Sequence, residues 1–336
     1  MRTEIFRPAH ESFSARTCNW STLPKDDLGA PRNRTFASTN KQLTPMASIH
    51  DEEDRIRKEL SETYPANVDR NYRSYPDDHP AERLIVPDGL HYLGDLSHDE
   101  RCWGRKPGDE EKRWEDICDQ NRGLVVLTKD LNDDEVWNIR MDHGRDNNNP
   151  DINNPTPSDD KFHENLRRWI YGLMTMSDSG EMPEYPTTKD AQKHFVEQPW
   201  VRMNLKKELG QGYLDDDALR AHIAASKKYL LKQLNLYRRA SIYIDCAKGE
   251  GIELLKQIWT DIALFSSGEK PRIYYSEERR FIIIDSHHPS AWEYDKMRQR
   301  VSEKEYYSNM RKAVQAFFRE YFKEHNTNFF EGRKRD

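Results

Sequence analysis

The stretch Phe281-Ile282-Ile283-Ile284-Asp285-Ser286-His287-His288-Pro289-Ser290 decides the predicted fold. Its first four residues are large and apolar, which is typical of a strand that is buried on both faces of a parallel sheet. The polar residues that follow predict a loop, which Pro289 stiffens. Ligands of open α/β sheets bind outside the carboxyl ends of the strands. This strand would therefore deliver His288 to a binding site.

Three other apolar runs have the length of buried strands. They span residues 123–128, 200–205 and 241–247. Helical stripes separate these runs, and the first stripe consists of Phe162, Leu166, Trp169, Ile170 and Leu173. Strands that alternate with helices predict an α/β fold with a mostly parallel four-stranded sheet and helices on both sides.

Local patterns predict further elements around these strands. Residues 272–275 are expected to pair in a hairpin with the Phe281 strand. Ser302 and Glu305 form a capping-box pattern at the start of a long terminal helix. Residues 51–63 alternate charges around Ile56 and Leu60, which indicates a short surface helix.

Composition bounds the domain organisation. The chain has 336 residues, of which 35% are hydrophobic, enough for one large α/β domain or two small ones. Its 33% of charged residues and its mean hydropathy of -1.05 indicate that part of the chain is a solvated extension. We expect a disordered or loosely packed extension over residues 1–50, a loop-rich cover over 51–110 and the α/β domain over 111–336.

Charge and cysteine content exclude several classes of protein. The net charge of -6 gives no general attraction to nucleic acid, so any DNA contact must come from a local basic patch. The four cysteines are scattered, which argues against a disulfide framework or a zinc module and favours a reducing cytoplasm. No apolar run approaches the length of a membrane span. We expect a soluble, cytoplasmic monomer without a membrane partner.

Three polar residues follow predicted strands at the point where each strand ends. They are Asp130, Asn204 and His288. If their strands lie in one parallel sheet, all three side chains emerge at the same edge. A carboxylate can place a water molecule, an amide can read a donor and acceptor pattern, and an imidazole can stabilise developing negative charge. This combination suits the cleavage of a polar bond.

These residues and their neighbours resemble the uracil-DNA glycosylase superfamily. Thr128-Lys129-Asp130-Leu131-Asn132, Asn204 and His288-Pro289-Ser290 are similar to its three signature positions, in the same order, over roughly residues 123–292. The first motif lacks the glycine and proline of the best-known branch. Ala291-Trp292 replaces the Pro-Leu of many relatives, so the resemblance does not assign plain uracil as the substrate.

The resemblance implies a three-layer fold and a role for each residue. Asp130 would position or activate the water that attacks the sugar C1′ and would stabilise the positive charge on the deoxyribose. His288 would hydrogen-bond the departing base and stabilise its anionic form. Asn204 would read the edge of a flipped pyrimidine, and Phe162 would stack on that base.

Four further contacts with the DNA are expected. By the same resemblance, Ser290 would touch a flanking phosphate, and Trp292 or Tyr294 would fill the space that the extruded base leaves. Lys206 and Lys207 lie two and three residues after Asn204, and their charges suit a phosphate contact.

No cofactor is expected. Some branches of the superfamily hold an iron–sulfur cluster on four cysteines, and Cys102 and Cys118 have a spacing that two of those ligands can have. Cys18 and Cys246 do not fit the remaining pair. We therefore expect neither a cluster nor another metal.

The sequence predicts a DNA glycosylase that hydrolyses the N-glycosidic bond of a flipped, non-standard pyrimidine and leaves an abasic site. The base would be damaged, mispaired or modified, and the role would be DNA repair or defence against foreign modified DNA, including antiviral defence. Two alternatives remain open. One is a non-catalytic nucleic-acid-binding module with the same fold, and the other is a Mg²⁺-dependent, phosphatase-like hydrolase that uses Asp130.

Overall fold

One mixed sheet of seven strands organises the residues that the computed structural model describes. Those residues are 48–64, 85–93, 109–130, 138–141, 161–209, 214–266, 268–291 and 301–333. The strands are β1 (Gly89–Leu90), β2 (Leu124–Thr128), β3 (Val201–Asn204), β4 (Ile242–Asp245), β5 (Ala263–Leu264), β6 (Arg272–Ser276) and β7 (Phe281–Asp285). Their spatial order is β1-β3-β2-β4-β7-β6-β5.

The four central strands are the four that the apolar runs predicted. β3, β2, β4 and β7 pair in parallel, and every residue of these strands is buried. The α/β class is therefore confirmed. The four-stranded sheet is wrong, because three antiparallel strands extend the parallel core at both edges. β6 is the predicted hairpin partner of β7, whereas β1 and β5 have only two residues each, too few for a readable period.

Seven α-helices surround the sheet in the described part of the chain. They are α1 (Ile49–Thr63), α2 (Asp109–Asp119), α3 (Lys161–Met174), α4 (Thr188–Glu197), α5 (Asp216–Leu236), α6 (Glu250–Ile258) and α7 (Glu303–His325). Side-chain oxygens cap four of them by accepting a backbone N–H of the first turn, and the caps are Ser48, Thr187, Asp215 and Ser302. The predicted helices at residues 51–63 and after Ser302 are confirmed.

The two faces of the sheet carry different helices. Neighbouring residues of a strand point to opposite faces. The Arg202 side chain lies against Phe162 of α3, whereas the Asp245 carboxylate accepts a hydrogen bond from the Ile252 backbone N–H of α6. Val126 of β2 pairs with both Arg202 and Ile244, and Asp245 is the residue after Ile244. The side chains of Arg202 and Asp245 therefore point to opposite faces of the sheet. Helices therefore lie on both sides of the sheet, as the alternation of strands and helices predicted.

The described residues belong to one compact unit that spans Met46–Asp336. The predicted boundary near residue 110 falls inside this unit, because β1 is an edge strand of the central sheet. The expected extension lies outside the described residues, apart from its last three positions, 48–50. Among the described helices, none is long and apolar enough to cross a membrane.

Candidate functional site

The carboxyl ends of the parallel strands bring the three predicted polar residues to one edge of the sheet. Asn204 ends β3, Asp130 follows β2 by two residues and His288 follows β7 by three. β2 pairs directly with β3, and Thr128 stands opposite Asn204. β4 lies between β2 and β7, so two strand spacings of about 4.8 Å, roughly 10 Å in all, separate the ends that carry Asp130 and His288.

Asn204 is fully buried at this edge. The Thr128 hydroxyl donates a hydrogen bond to its Oδ1, and among the described residues nothing accepts a hydrogen bond from its Nδ2. If the amide is turned by 180°, Nδ2 donates to the Thr128 hydroxyl, and Oδ1 becomes the atom without a partner among the described residues. In both orientations one polar atom of the amide has no partner among the residues that the structure describes. Buried polar atoms without a hydrogen-bond partner are uncommon and cost free energy. A ligand that bonds to such an atom therefore gains binding free energy.

A hydrogen-bonded loop holds His288. The Ser290 hydroxyl lies 2.7 Å from His288 Nδ1, and the Ser290 backbone N–H points to the same nitrogen at 3.4 Å. Because two donors face Nδ1, this nitrogen accepts and the neutral ring carries its proton on Nε2. The Asn165 side chain of α3 donates to the Pro289 carbonyl at 2.6 Å and fixes the loop from below. The arrangement prepares Nε2 as a hydrogen-bond donor.

Phe162 lies between β3 and the His288 loop. It belongs to the first turn of α3, and its ring centroid is 5.5 Å from that of His288. The guanidinium carbon of Arg202 lies 4.5 Å from the centre of the same ring. Arg202 therefore joins the neighbourhood of the site, although the sequence reading did not single it out. A charged residue inside an otherwise apolar strand was the signal that could have found it.

Asp130 is half-buried beside a group of charges. Lys129 and Lys248 approach the same Asp216 carboxylate oxygen at 3.8 Å and 2.6 Å. Burial and the neighbouring charge of Lys248 lower the pKa of the Lys129 amine, whereas Asp216 and Asp130 act in the opposite direction. The carboxylate of Asp130 thus belongs to a cluster of four charged groups after β2. The other three are Lys129, Lys248 and Asp216.

The opposite face of the sheet carries two buried carboxylates of a different kind. Asp245 accepts backbone N–H groups of Ala247 and Ile252 at 2.7 Å and 3.0 Å and thereby caps α6. Burial raises its pKa to about 6, against the effect of these bonds. Asp285 pairs with Lys270 and Arg272. Asp245 is the last residue of β4 and Asp285 is the last residue of β7. Both side chains point to the face opposite to that of Asn204.

The structure corrects the two predicted lysine contacts. Lys206 is 0% exposed and Lys207 is 3% exposed. The Lys207 amine donates to Asp88 at 2.5 Å and to Gln233 at 2.6 Å. A DNA phosphate in solution can reach neither amine, because both side chains point into the protein.

The remaining predicted DNA contacts have different outcomes. The Ser290 hydroxyl bonds to His288, so a phosphate contact would have to share it, and that contact stays a prediction. Trp292 and Tyr294 lie outside the described residues.

The described residues include no group of three or more His, Cys, Asp or Glu side chains placed to hold a metal ion. Two of the cysteines, Cys118 and Cys246, are described, and both are buried free thiols. Burial raises the pKa of Cys118 to about 12 and that of Cys246 well above its ordinary value, so neither thiol is ionised at neutral pH. Cys18 and Cys102 lie outside the described residues.

Comparisons of the chain with family models, with curated proteins and with solved structures found no match.

Proposed function

We propose that the protein is a DNA glycosylase that hydrolyses the N-glycosidic bond of a flipped, non-standard pyrimidine and leaves an abasic site. The observation that carries the proposal is the Asn204 amide, which is fully buried and has one polar atom without a partner among the described residues. It lies at the same edge as Asp130 and His288. A pyrimidine presents neighbouring donors and acceptors along one edge, and an amide complements such a pair.

The chemistry divides between Asp130 and His288. Asp130 places the attacking water and balances the positive charge that grows on the sugar. His288 donates from Nε2 to the oxygen of the departing base, because Ser290 occupies Nδ1. Removing one preorganised donor of this kind typically costs about 3 kcal/mol of barrier. The ends of β2 and β7, which carry Asp130 and His288, are roughly 10 Å apart.

Substrate selection follows from the cost of extrusion. Flipping a base out of the duplex costs a few kcal/mol, and the cost is lowest for damaged, mispaired or single-stranded bases. Asn204 is closed to solvent in the structure, so the edge must open before a base can reach the amide. Excision would serve repair if the base is a lesion, and defence if it is a modified base of foreign DNA.

The test is a base-release assay on a panel of DNAs. Single- and double-stranded oligonucleotides would carry uracil, other pyrimidine lesions or hypermodified cytosines, and alkali-labile abasic sites would be measured after incubation. We expect abasic sites from at least one DNA of the panel, with at least a ~100-fold loss in Asp130→Ala and in His288→Ala.

Two matched variants control for nonspecific effects. Asp178→Ala and His325→Ala remove the same side chains from exposed positions and should leave the rate unchanged. Binding of DNA without base release, unaffected by Asp130→Asn, would instead support the binding module. Release of phosphate that EDTA abolishes would support the Mg²⁺-dependent hydrolase.

A further inference from the structure

A buried cluster of polar residues lies directly behind Asn204. The residue before β1, Asp88, accepts a hydrogen bond from the Asn204 backbone N–H through Oδ2 at 2.7 Å. The same oxygen accepts from the Lys207 amine at 2.5 Å, and Oδ1 accepts from the Gln233 amide at 2.9 Å. The Gln233 carbonyl oxygen in turn accepts from Lys207 at 2.6 Å. The three side chains are all buried and form a closed ring of hydrogen bonds with the end of β3.

Asp88 stands where the backbone ladder is interrupted. Gly89 pairs with Arg202, and Ile85 pairs with Glu208, so the chain on both sides of Asp88 runs antiparallel to β3 and its continuation. Between these two bridges, the Asp88 carboxylate supplies the acceptor for the Asn204 N–H. On the side of β3 that faces away from β2, the Asn204 backbone N–H therefore depends on one side chain that is distant in sequence.

Helix α1 holds Asp88 from the other side. The buried Glu53 carboxylate accepts from the Leu90 backbone N–H at 2.8 Å and from the Tyr237 hydroxyl at 2.5 Å. Its second oxygen accepts from Arg140 at 2.9 Å. These bonds fix β1, and with it Asp88, against α1 and the end of α5. The backbone of residues 88–90 thus links the Glu53 carboxylate of α1 to the Asp88 carboxylate that bonds Asn204.

We infer that Asp88 is a positioning residue for Asn204, and that the ring of Asp88, Lys207 and Gln233 sets the accuracy with which the amide reads its base. The inference rests on the proposed function. A buried ion pair is seldom more stable than apolar residues of the same size, and its best-attested use is to fix one geometry. The ring orients the Asn204 backbone, and the Thr128 hydroxyl orients the side chain.

Two double variants separate positioning from stability. Asp88→Asn with Lys207→Met removes both buried charges but keeps a side-chain oxygen that accepts from the Asn204 N–H. Asp88→Ala with Lys207→Met removes the same charges and also removes the acceptor. Neither variant leaves an unpaired buried charge, so both are expected to fold. They differ only in the side-chain amide at position 88, which supplies the acceptor for the Asn204 N–H and a partner for Gln233.

The first measurement is hydrogen–deuterium exchange at the Asn204 amide, with the amides of β4 as the internal reference. We expect exchange at Asn204 to be at least ~10-fold faster in the alanine double variant than in the asparagine double variant, with β4 equal in both. The second measurement is the ratio of kcat/KM between the preferred base and uracil or thymine. We expect it to fall about 10-fold in the alanine double variant only, while the pH profile of kcat, which reports Asp130 and His288, is unchanged.

The outcomes are distinguishable from a failure of the proposed function. If the wild-type protein releases no base from any DNA, the glycosylase proposal fails, and the exchange experiment still decides whether Asp88 holds Asn204. Equal exchange at Asn204 in the two double variants would overturn the inference. Equal base discrimination in an active enzyme would overturn it as well. If the alanine double variant does not fold, single Gln233→Leu, which removes one side of the ring, must accelerate exchange at Asn204 more than at β4.

Discussion

In the proposed glycosylase, base recognition depends on the amide of Asn204. In Asn204→Asp, a carboxylate would replace a group that both donates and accepts, and it would be fully buried beside the Thr128 hydroxyl. Burying a charge without a cation is costly, and the acid lacks the amide donor. We expect base release to fall roughly 100-fold under single-turnover conditions. Retention of the wild-type rate would show that the Asn204 amide does not contact the base.

Ser290 controls which nitrogen of His288 carries the proton. Its hydroxyl and backbone N–H both face Nδ1, so Ser290→Ala removes the stronger of two contacts that favour the Nε2 proton. We expect base release to slow about 10-fold in Ser290→Ala, which is less than the loss in His288→Ala. DNA affinity, measured by fluorescence anisotropy, should stay the same. A selective loss of affinity would favour the predicted phosphate contact of Ser290 over its role in orienting the imidazole.

The sequence predicts the residues that follow a strand, and it misses those that depend on distant partners. Asp130, Asn204 and His288 reach one edge because each follows an apolar run of a parallel sheet. Lys207 also follows such a run, yet it is buried on Asp88, which lies 119 residues earlier. No local pattern reports that pairing. Side chains beyond the end of a strand can turn either to solvent or inward, and tertiary contacts decide between the two.

At the scale of elements, strand length separates the predicted from the unpredicted. β2 and β7 have five residues each, of which the first four are apolar, and this length predicts buried strands. β1 has two residues and lies in a stretch without a clear period, so its place at the edge of the sheet comes only from pairing with β3. Edge strands of this length are stabilised by side-chain contacts such as the one that Glu53 makes with the Leu90 N–H. No local sequence pattern predicts such a contact.

Helix α1 should dock in a pH-dependent manner through His50. Burial alone would lower the pKa of this imidazole, but the carboxylates of Glu110 and Glu53 outweigh it and raise the pKa to about 9. A raised pKa in the folded state means that protonation stabilises the fold. The contribution is complete below the unfolded pKa of about 6.5 and is lost as the pH rises through 9.

His50→Gln tests this dependence, because glutamine keeps a polar side chain that does not titrate. We expect the wild-type protein to exceed His50→Gln in free energy of unfolding by on the order of 2 kcal/mol at pH 6, and the gap to close by pH 9.5. Urea unfolding at a series of pH values measures both proteins side by side. A gap that is independent of pH would mean that the ion pairs of His50 do not hold α1.

At the scale of the whole molecule, the candidate site depends on parts of the chain that are far apart. The three polar residues come from the ends of three strands, and the support for Asn204 comes from α1, from the residue before β1 and from α5. The described helices lie on both faces and leave the carboxyl ends of the parallel strands as the place where polar side chains gather.

The most direct measurement of the central claim is mass spectrometry of the free base, made in parallel with the count of abasic sites in the same DNA. Hydrolysis of an N-glycosidic bond predicts equal amounts of the two products, and both should disappear in Asp130→Ala and His288→Ala. Across a panel of lesions and modified pyrimidines in single- and double-stranded DNA, the absence of any free base from the wild-type protein would contradict the account.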